Sequence, residues 1–383
     1  MKDIKKGLCI VLVACMLITL LVSVTGCGSV NGAEAAKGDS KRSVTVTDMV
    51  GREVTIEGDV ERVVIIEWEA MAAKALKKMG LADKIVGIDD YATKNTFRNY
   101  IIPEFANAKD IGSAWSGINY EELAALKPDV VFLEEWVTGD EEQKLHDDCI
   151  AKLEDMGIPV VCFLSPSCFD EPNIETAWEH IRLVGKVMNK EPEAEAIIKD
   201  IKDKVDLIKE RTGNLSENEK KDVIIFATAN YVMGPNTVQS YFLTDIINAN
   251  NMVDEGDFVN VSEEQLLKYN PESLIIIGHD GYLAPSIVEE GKMCGINWGN
   301  VQEVSAIKND NYICLGYEEW RDTLETPVTL LKMAKLVYPE LFEDIDIEQE
   351  EIKMYMNDYG MTEEEAKEAI EAQHYTGQLE EPK

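Results

Sequence analysis

The chain has 383 residues, 45% of them hydrophobic, enough to bury the cores of two domains. Its 72 acidic side chains against 37 basic ones leave a formal net charge of −35, which argues against nucleic acid and anionic lipid headgroups as partners. The 8 cysteines contain no C-x-x-C pair, so neither a zinc site nor a disulfide framework is signalled.

Lys2, Lys5 and Lys6 precede an apolar run from Leu8 to Val24, shorter than the ~20 residues a spanning helix needs and closed by the small-residue stop "VTGC". This is the pattern of a signal peptide over residues 1–26. A cysteine after Gly26 resembles the bacterial lipobox, which implies cleavage that leaves Cys27 lipidated at the new N-terminus; ordinary cleavage near Ala35 is the competing reading. Residues 27–43, rich in Gly, Ser, Ala and charge, read as the lipidated cysteine with a flexible tether.

From Val44 the chain alternates β-rich runs with helical ones. "VTVTDMVGREVTI" predicts a hairpin with Gly51 at its turn, followed by the strands "RVVII", "KIVGI", "DVVFL" and "PVVCFL" with helical segments between them. Strands alternating with helices imply an α/β fold with parallel sheet, here an N-terminal lobe over residues 44–174. Residues 175–213 are helical in period from Glu175 to Arg211, with Pro192 permitting a kink or a break. A second α/β series, residues 214–342, contains "DVIIFA", "SLIIIG" and "YICLG", and residues 343–383 read as an appended helical tail. The two halves share a phrase: Glu121, Leu123, Pro128 and Asp129 match Glu264, Leu266, Pro271 and Glu272 in spacing, which points to internal duplication. Cys162 and Cys314 lie in apolar runs and read as small buried hydrophobes.

"VTDMVGREVTI…ERVVII", "GINYEELAALKPDVVFL", "VNVSEEQLLKYNPESLIII" and "LLKMAKLVYPELF" resemble the substrate-binding lipoproteins of ABC importers for iron–siderophore complexes, haem and cobalamin, over about Val44 to Phe342. The resemblance implies two Rossmann-like lobes joined by a single long rigid helix, with the ligand in the cleft between the lobes. It also implies a monomer without intrinsic cofactor, anchored to the extracytoplasmic face of the cell membrane by lipid. Its partners would be a metal chelate (ferric siderophore, haem or corrinoid) and an ABC permease dimer with its ATPase. In the resembling family a glutamate on each lobe meets a permease arginine; the matching positions are Glu121 and Glu264.

Three strands end in an indole beside a carboxylate: "IIEWEAM", "FLEEWVT" and "LGYEEWRDT". In open α/β sheets the loops at the carboxyl ends of the strands line the ligand crevice. The expected wall is therefore Trp68, Glu69, Trp115, Ser116, Glu135 and Trp136 from the first lobe, with Asn230, Tyr231, His279, Tyr282, Tyr317, Trp320 and Arg321 from the second. Aromatic faces suit a large organic ligand, and carboxylates beside them suit a neutral or cationic one. Arg321 is the obvious arginine in these loops and Arg98 a possible second, which disfavours a highly anionic complex. His279 is placed to reach a metal left open by its chelator, against the plainer reading of a polar cleft histidine. Trp178 reads as core.

An enzyme is the rival class, since Glu69 with Glu135 is an imaginable acid–base pair for glycoside hydrolysis. No G-x-S-x-G, H-E-x-x-H, Walker A or strand-following G-x-G-x-x-G accompanies it, so no catalytic activity is expected. A bare-metal site is unsupported as well: of the 4 histidines, His146 and His180 fall in helices and His374 in the tail.

Overall fold

A computed structural model describes residues 42–113, 116–136, 139–165, 172–227, 231–277, 288, 292–293, 296–316 and 318–374. The expected hairpin comes first: β1 (Ser43–Thr47) and β2 (Glu53–Glu57) pair antiparallel, and Gly51 turns the corner at φ +83°. β3 (Val63–Ile66), β4 (Ile85–Ile88), β5 (Lys109–Asp110), β6 (Val130–Glu135) and β7 (Val160–Leu164) form a parallel sheet in the order β5-β4-β3-β6-β7. It is crossed by the helices α1 (Met71–Lys78), α2 (Asp90–Lys94), α3 (Thr96–Ile101), α4 (Tyr120–Leu126) and α5 (Asp140–Asp155).

The second lobe is built around β8 (Asp222–Phe226), with β9 (Tyr231–Met233), β10 (Asn250–Asn251), β11 (Phe258–Asn260) and β12 (Ser273–Ile277) following it. β13 (Lys292–Met293) and β14 (Ile296–Asn297) make a small antiparallel pair, and β15 (Tyr312–Leu315) completes the main sheet in the order β11-β9-β8-β12-β15. β8, β12 and β15 are parallel, β10 runs beside the start of β8, and β9 and β11 form an antiparallel edge.

Central strands are buried on both faces, and each face feeds a different core. Val63, Ile65, Val130 and Phe132 point into an apolar cluster that continues through the interlobe helices into Val223, Ile225 and Ile275 of the second lobe. Val64, Ile66, Val131 and Leu133 point outward to Cys149, Ile150 and Leu153 of α5. Ile224, Phe226, Leu274 and Ile276 do the same against Trp298 and Val301. The two lobes thus share one core, and residues 41–383 form one compact unit. Cys149, Cys162 and Cys314 are free and buried. Trp178 is partly buried against the shared core, and Trp298 fully so in the outer one.

The repeated phrase serves one joint twice. α4 ends at Lys127 (φ +48°), and α9 (Glu263–Tyr269) ends at Asn270 (φ +51°); each left-handed cap is followed by the matching proline. Asp129 Oδ2 then accepts from the backbone N–H groups of Glu61 and Arg62 just ahead of β3. Glu272 Oε2 accepts from the Asp222 N–H at the start of β8. The shared spacing places the same carboxylate under the same strand in each lobe.

The interlobe stretch, expected as one helix in which Pro192 permits a kink or a break, is broken there into two helices. α6 (Glu175–Met188) ends at Asn189 in the left-handed region (φ +58°), and α7 (Glu191–Thr212) starts after Lys190 with Pro192 in its first turn. Pro192 has no N–H to continue the α6 ladder and accepts the first-turn position where none is needed. Gly185 makes the fold-back possible, because a Cβ there would lie 2.4 Å from Ala194 Cβ. α6 packs on α1 of the first lobe, whereas α7 runs along α11 (Thr326–Val337) of the second, which follows α8 (Val238–Tyr241) and α10 (Ser305–Lys308) in the chain.

The tail is no mere appendage. α12 (Ile347–Tyr359) packs on α1 and α11, and α13 (Glu363–His374) packs on α3, so both reach back to the first lobe. Gln373 Oε1 accepts the Glu318 N–H at 2.9 Å, and Gln373 Nε2 donates to Tyr355 Oη. Among the described residues no helix is long and apolar enough to cross a membrane.

Candidate ligand cleft

The first sheet changes direction between β3 and β6: the chain runs outward through β4 and β5 on one side, then through β6 and β7 on the other. Loops leaving neighbouring strands diverge at such a point and open a crevice at their carboxyl ends. A small recess occupies that place, lined by Ile66, Glu67, Trp68, Asp89, Tyr91, Ser113, Glu134, Trp136 and His146.

Its aromatic wall is continuous. The Trp68 ring stacks on Tyr91 at 4.1 Å between centroids and lies nearly parallel to Trp136, 6.1 Å away and tilted by only 8°. Trp68 and Trp136, predicted as strand-end indoles, therefore share one wall, and Tyr91, which the sequence reading missed, backs it. Ala70, two residues after Trp68, holds a left-handed conformation (φ +57°) that turns the chain sharply into α1. Such a conformation is costly for a residue with a Cβ and persists where the surroundings dictate it.

The carboxylates lie behind this wall. Glu67 accepts from the Ala72 N–H and meets His180 Nε2 at 3.1 Å. Asp89 accepts from the N–H groups of Glu67 and Ala92, and burial pushes its pKa up to about 6. Glu134 accepts the Glu69 N–H at 2.9 Å; burial, with Glu69 and Glu67 close by, raises its pKa well above the usual range. Glu135, expected in the cleft, is corrected: it is buried on the opposite face of β6, toward Gln143, Cys162 and Asp48. Alternation along a strand sends adjacent side chains to opposite faces, so Glu134 faces Glu69 and the imagined pair of Glu69 with Glu135 does not form.

The second lobe reaches the wall through residues 318–325. Arg321 donates to Glu69 Oε2 at 2.8 Å and to Tyr91 Oη at 3.3 Å, with its guanidinium between Trp68 (5.5 Å) and Trp320 (4.6 Å). Trp320 is buried there rather than presented to the cleft. Arg98 donates to Glu318 Oε1 at 2.9 Å and to the Trp68 carbonyl at 2.8 Å. Lys74 donates to Glu318 (2.7 Å), Thr323 (3.0 Å) and Glu325 (2.8 Å). Burial alone would raise the Glu318 pKa, but Arg98, Lys74 and Arg321 hold it far below the usual carboxylate range. Asp322, buried beside Glu69, is pushed the other way by burial and by that neighbour. Each of the cations Lys74, Arg98 and Arg321 thus has a carboxylate partner.

Ser116 is exposed and its Oγ lies 3.0 Å from Ser113 Oγ at the recess edge. Tyr231 is exposed as the first residue of β9. Trp115, Asn230, His279, Tyr282, Tyr317 and the lipidation candidate Cys27 lie outside the described residues. Glu121 and Glu264 are exposed in the first turns of α4 and α9, and helix capping falls to Asn119 and Ser262 instead. Each of these helices leads into a parallel strand, α4 into β6 and α9 into β12, and so starts toward the carboxyl end of its sheet.

The model of the periplasmic binding protein family matches residues 63–293. An uncharacterized ABC transporter substrate-binding lipoprotein, YvrC of Bacillus subtilis, is 24% identical over 86% of this chain and 97% of its own. The molybdate-binding protein MolA of Haemophilus influenzae is 24% identical over 82% of this chain and 89% of its own. Among solved structures, a periplasmic solute binding protein from Veillonella parvula superposes with a TM-score of 0.70 at 24% identity, covering 85% of this chain and 95% of that one.

Proposed function

This chain belongs to the periplasmic binding protein family, and from that premise we propose that it captures a metal chelate outside the cell and delivers it to an ABC permease. The observation that carries the cargo class is the parallel pair Trp68 and Trp136 at the strand switch point, with carboxylates behind it and the nearby cations already paired. Such a wall offers flat apolar contact and favours a neutral or cationic complex, a ferric hydroxamate siderophore foremost. It does not suit a small oxyanion, although MolA is a molybdate binder by name; Glu67, Asp89 and Glu134 line the same recess.

Delivery rests on Glu121 and Glu264, read as the docking pair for two permease arginines. Display at the membrane rests on Cys27, read as the acylated residue, in keeping with the lipoprotein name of YvrC. A cleft glycoside hydrolase has less support, because Glu135 packs away from Glu69 on the other face of β6.

Intrinsic tryptophan fluorescence titrated against a ferric trihydroxamate, haem, cobalamin, cobinamide and molybdate tests this reading. Saturable quenching by a neutral or cationic chelate, with molybdate inert, is the expected result. Tight molybdate binding alone would overturn the cargo class, and silence toward the whole panel would overturn capture of chelates.

A further inference from the structure

We propose that Gln373, near the end of the tail, is a positioning residue for the cleft: it sets the aromatic wall through Glu318 and Arg98, although it does not line the recess itself. The role rests on the reading of that wall as the place where cargo binds. Trp68 is held from outside its own strand end. Arg98 donates to Glu318 Oε1 at 2.9 Å and to the Trp68 carbonyl at 2.8 Å, while Arg321 donates to Glu69 and lies over the Trp68 ring. The place of the indole therefore follows the place of Glu318 and Arg321.

Residues 318–325 leave β15 as a run of turns and bends, with no strand or helix to fix them. The tail grips them instead, at three points. Gln373 Oε1 accepts the buried Glu318 N–H at 2.9 Å, Tyr359 donates to Glu325, and Glu351 shares the Lys332 ammonium group with Glu319. The first of these acts on Glu318, the residue that holds Arg98.

Gln373 is built into this place. It is 3% exposed, and its amide N–H donates to Tyr355 Oη at 3.1 Å. Gly316 clears the space for it: a Cβ there would lie 2.3 Å from Gln373 Cγ and 2.6 Å from Cδ. Gly316 is not in the left-handed region where glycine is otherwise favoured, so its missing side chain serves room rather than backbone freedom. Loss of the Gln373 carbonyl would leave the Glu318 N–H buried without its acceptor, a state costly enough to pull the segment toward another partner. A shift at Glu318 carries Arg98 with it, and Arg98 carries the Trp68 carbonyl.

Hydrogen exchange by mass spectrometry on the cargo-free chain, beside calorimetric titration with a ferric trihydroxamate, tests this role. Gln373→Met fills the space but accepts no N–H, Gln373→Ala empties it, and Gly316→Ala forces the side chain out. Each should speed exchange in residues 316–325 and 66–72 at least about tenfold, with β8 and β12 at the wild-type rate. Each should also weaken trihydroxamate binding at least about tenfold. Gly316→Ala should add nothing further in the Gln373→Ala background, where its clash is gone. Wild-type exchange at residues 66–72, or undiminished trihydroxamate binding, in both folded Gln373 variants would overturn the proposal. Faster exchange confined to residues 316–325 would overturn it too, since the tail would then anchor that segment and nothing beyond it. If the trihydroxamate does not bind the wild-type chain, the cargo reading is what fails, and exchange at residues 66–72 alone decides the positioning role.

Discussion

Lys74→Ala is expected to lower the stability of the folded chain by about 3–5 kcal/mol, the cost of leaving a buried carboxylate without its cation. The Lys74 side chain is fully buried and its ammonium group binds two carboxylates and a hydroxyl at once. Glu318 would keep Arg98. Among the described residues Glu325 would keep only hydroxyl donors, Thr323 and, from the tail, Tyr359. The lesion falls where the first lobe, residues 318–325 and α12 meet, so it weakens the junction as well as one ion pair. Adding Glu325→Gln should recover part of the loss, since it removes the stranded charge. Urea unfolding followed by circular dichroism measures both values, and a Lys74→Ala cost below about 1 kcal/mol would show the cluster to be solvated in solution.

The double substitution Glu121→Ala with Glu264→Ala should abolish permease-dependent uptake while leaving cargo affinity unchanged. Neither residue caps its helix: Asn119 accepts the Glu122 N–H, and Ser262 exchanges hydrogen bonds with Gln265. Removal therefore costs only the favourable carboxylate–dipole contact of the first turn, about 0.3–1 kcal/mol each. Both carboxylates are exposed on equivalent helices of the two lobes, the placement that the proposed two-point contact with a permease calls for. Charge pairs desolvated on docking are worth several times more than that dipole contact, so transfer should fail long before folding does. Labelled-chelate uptake by cells displaying the variant reads this out; uptake at the wild-type rate with normal display would dismiss the docking role.

Much of the fold was legible because it obeys local rules. The hairpin followed from alternation around Gly51, the parallel sheets from strands alternating with helices, and the duplicated joint from the matched spacing ahead of Pro128 and Pro271. The interlobe break at Asn189 was only half legible: Pro192 marked it, but the fold-back also needed the small pair Gly185 and Ala194. The cleft was expected at the strand ends: Trp68 and Trp136 lie at one recess, and Glu134 lines it where Glu135 was expected. That error is one residue, and in a strand one residue exchanges the two faces. Lys74 was invisible for a different reason, because its partner Glu318 is 244 positions away. His146 did leave a signal, a histidine in register with Cys149, Ile150 and Leu153 on an apolar helix face. A reading from strand-end loops does not reach it, because it stands on α5.

The central claim is that cargo rests on the indole faces at the switch point of the first lobe. Calorimetric titration of wild type and Trp68→Ala with the chelate that quenches most strongly tests it directly. The variant should lose about 1–3 kcal/mol of binding free energy, as when a stacking aromatic is removed, at an unchanged melting temperature. Wild-type affinity in a folded Trp68→Ala chain would place the cargo elsewhere.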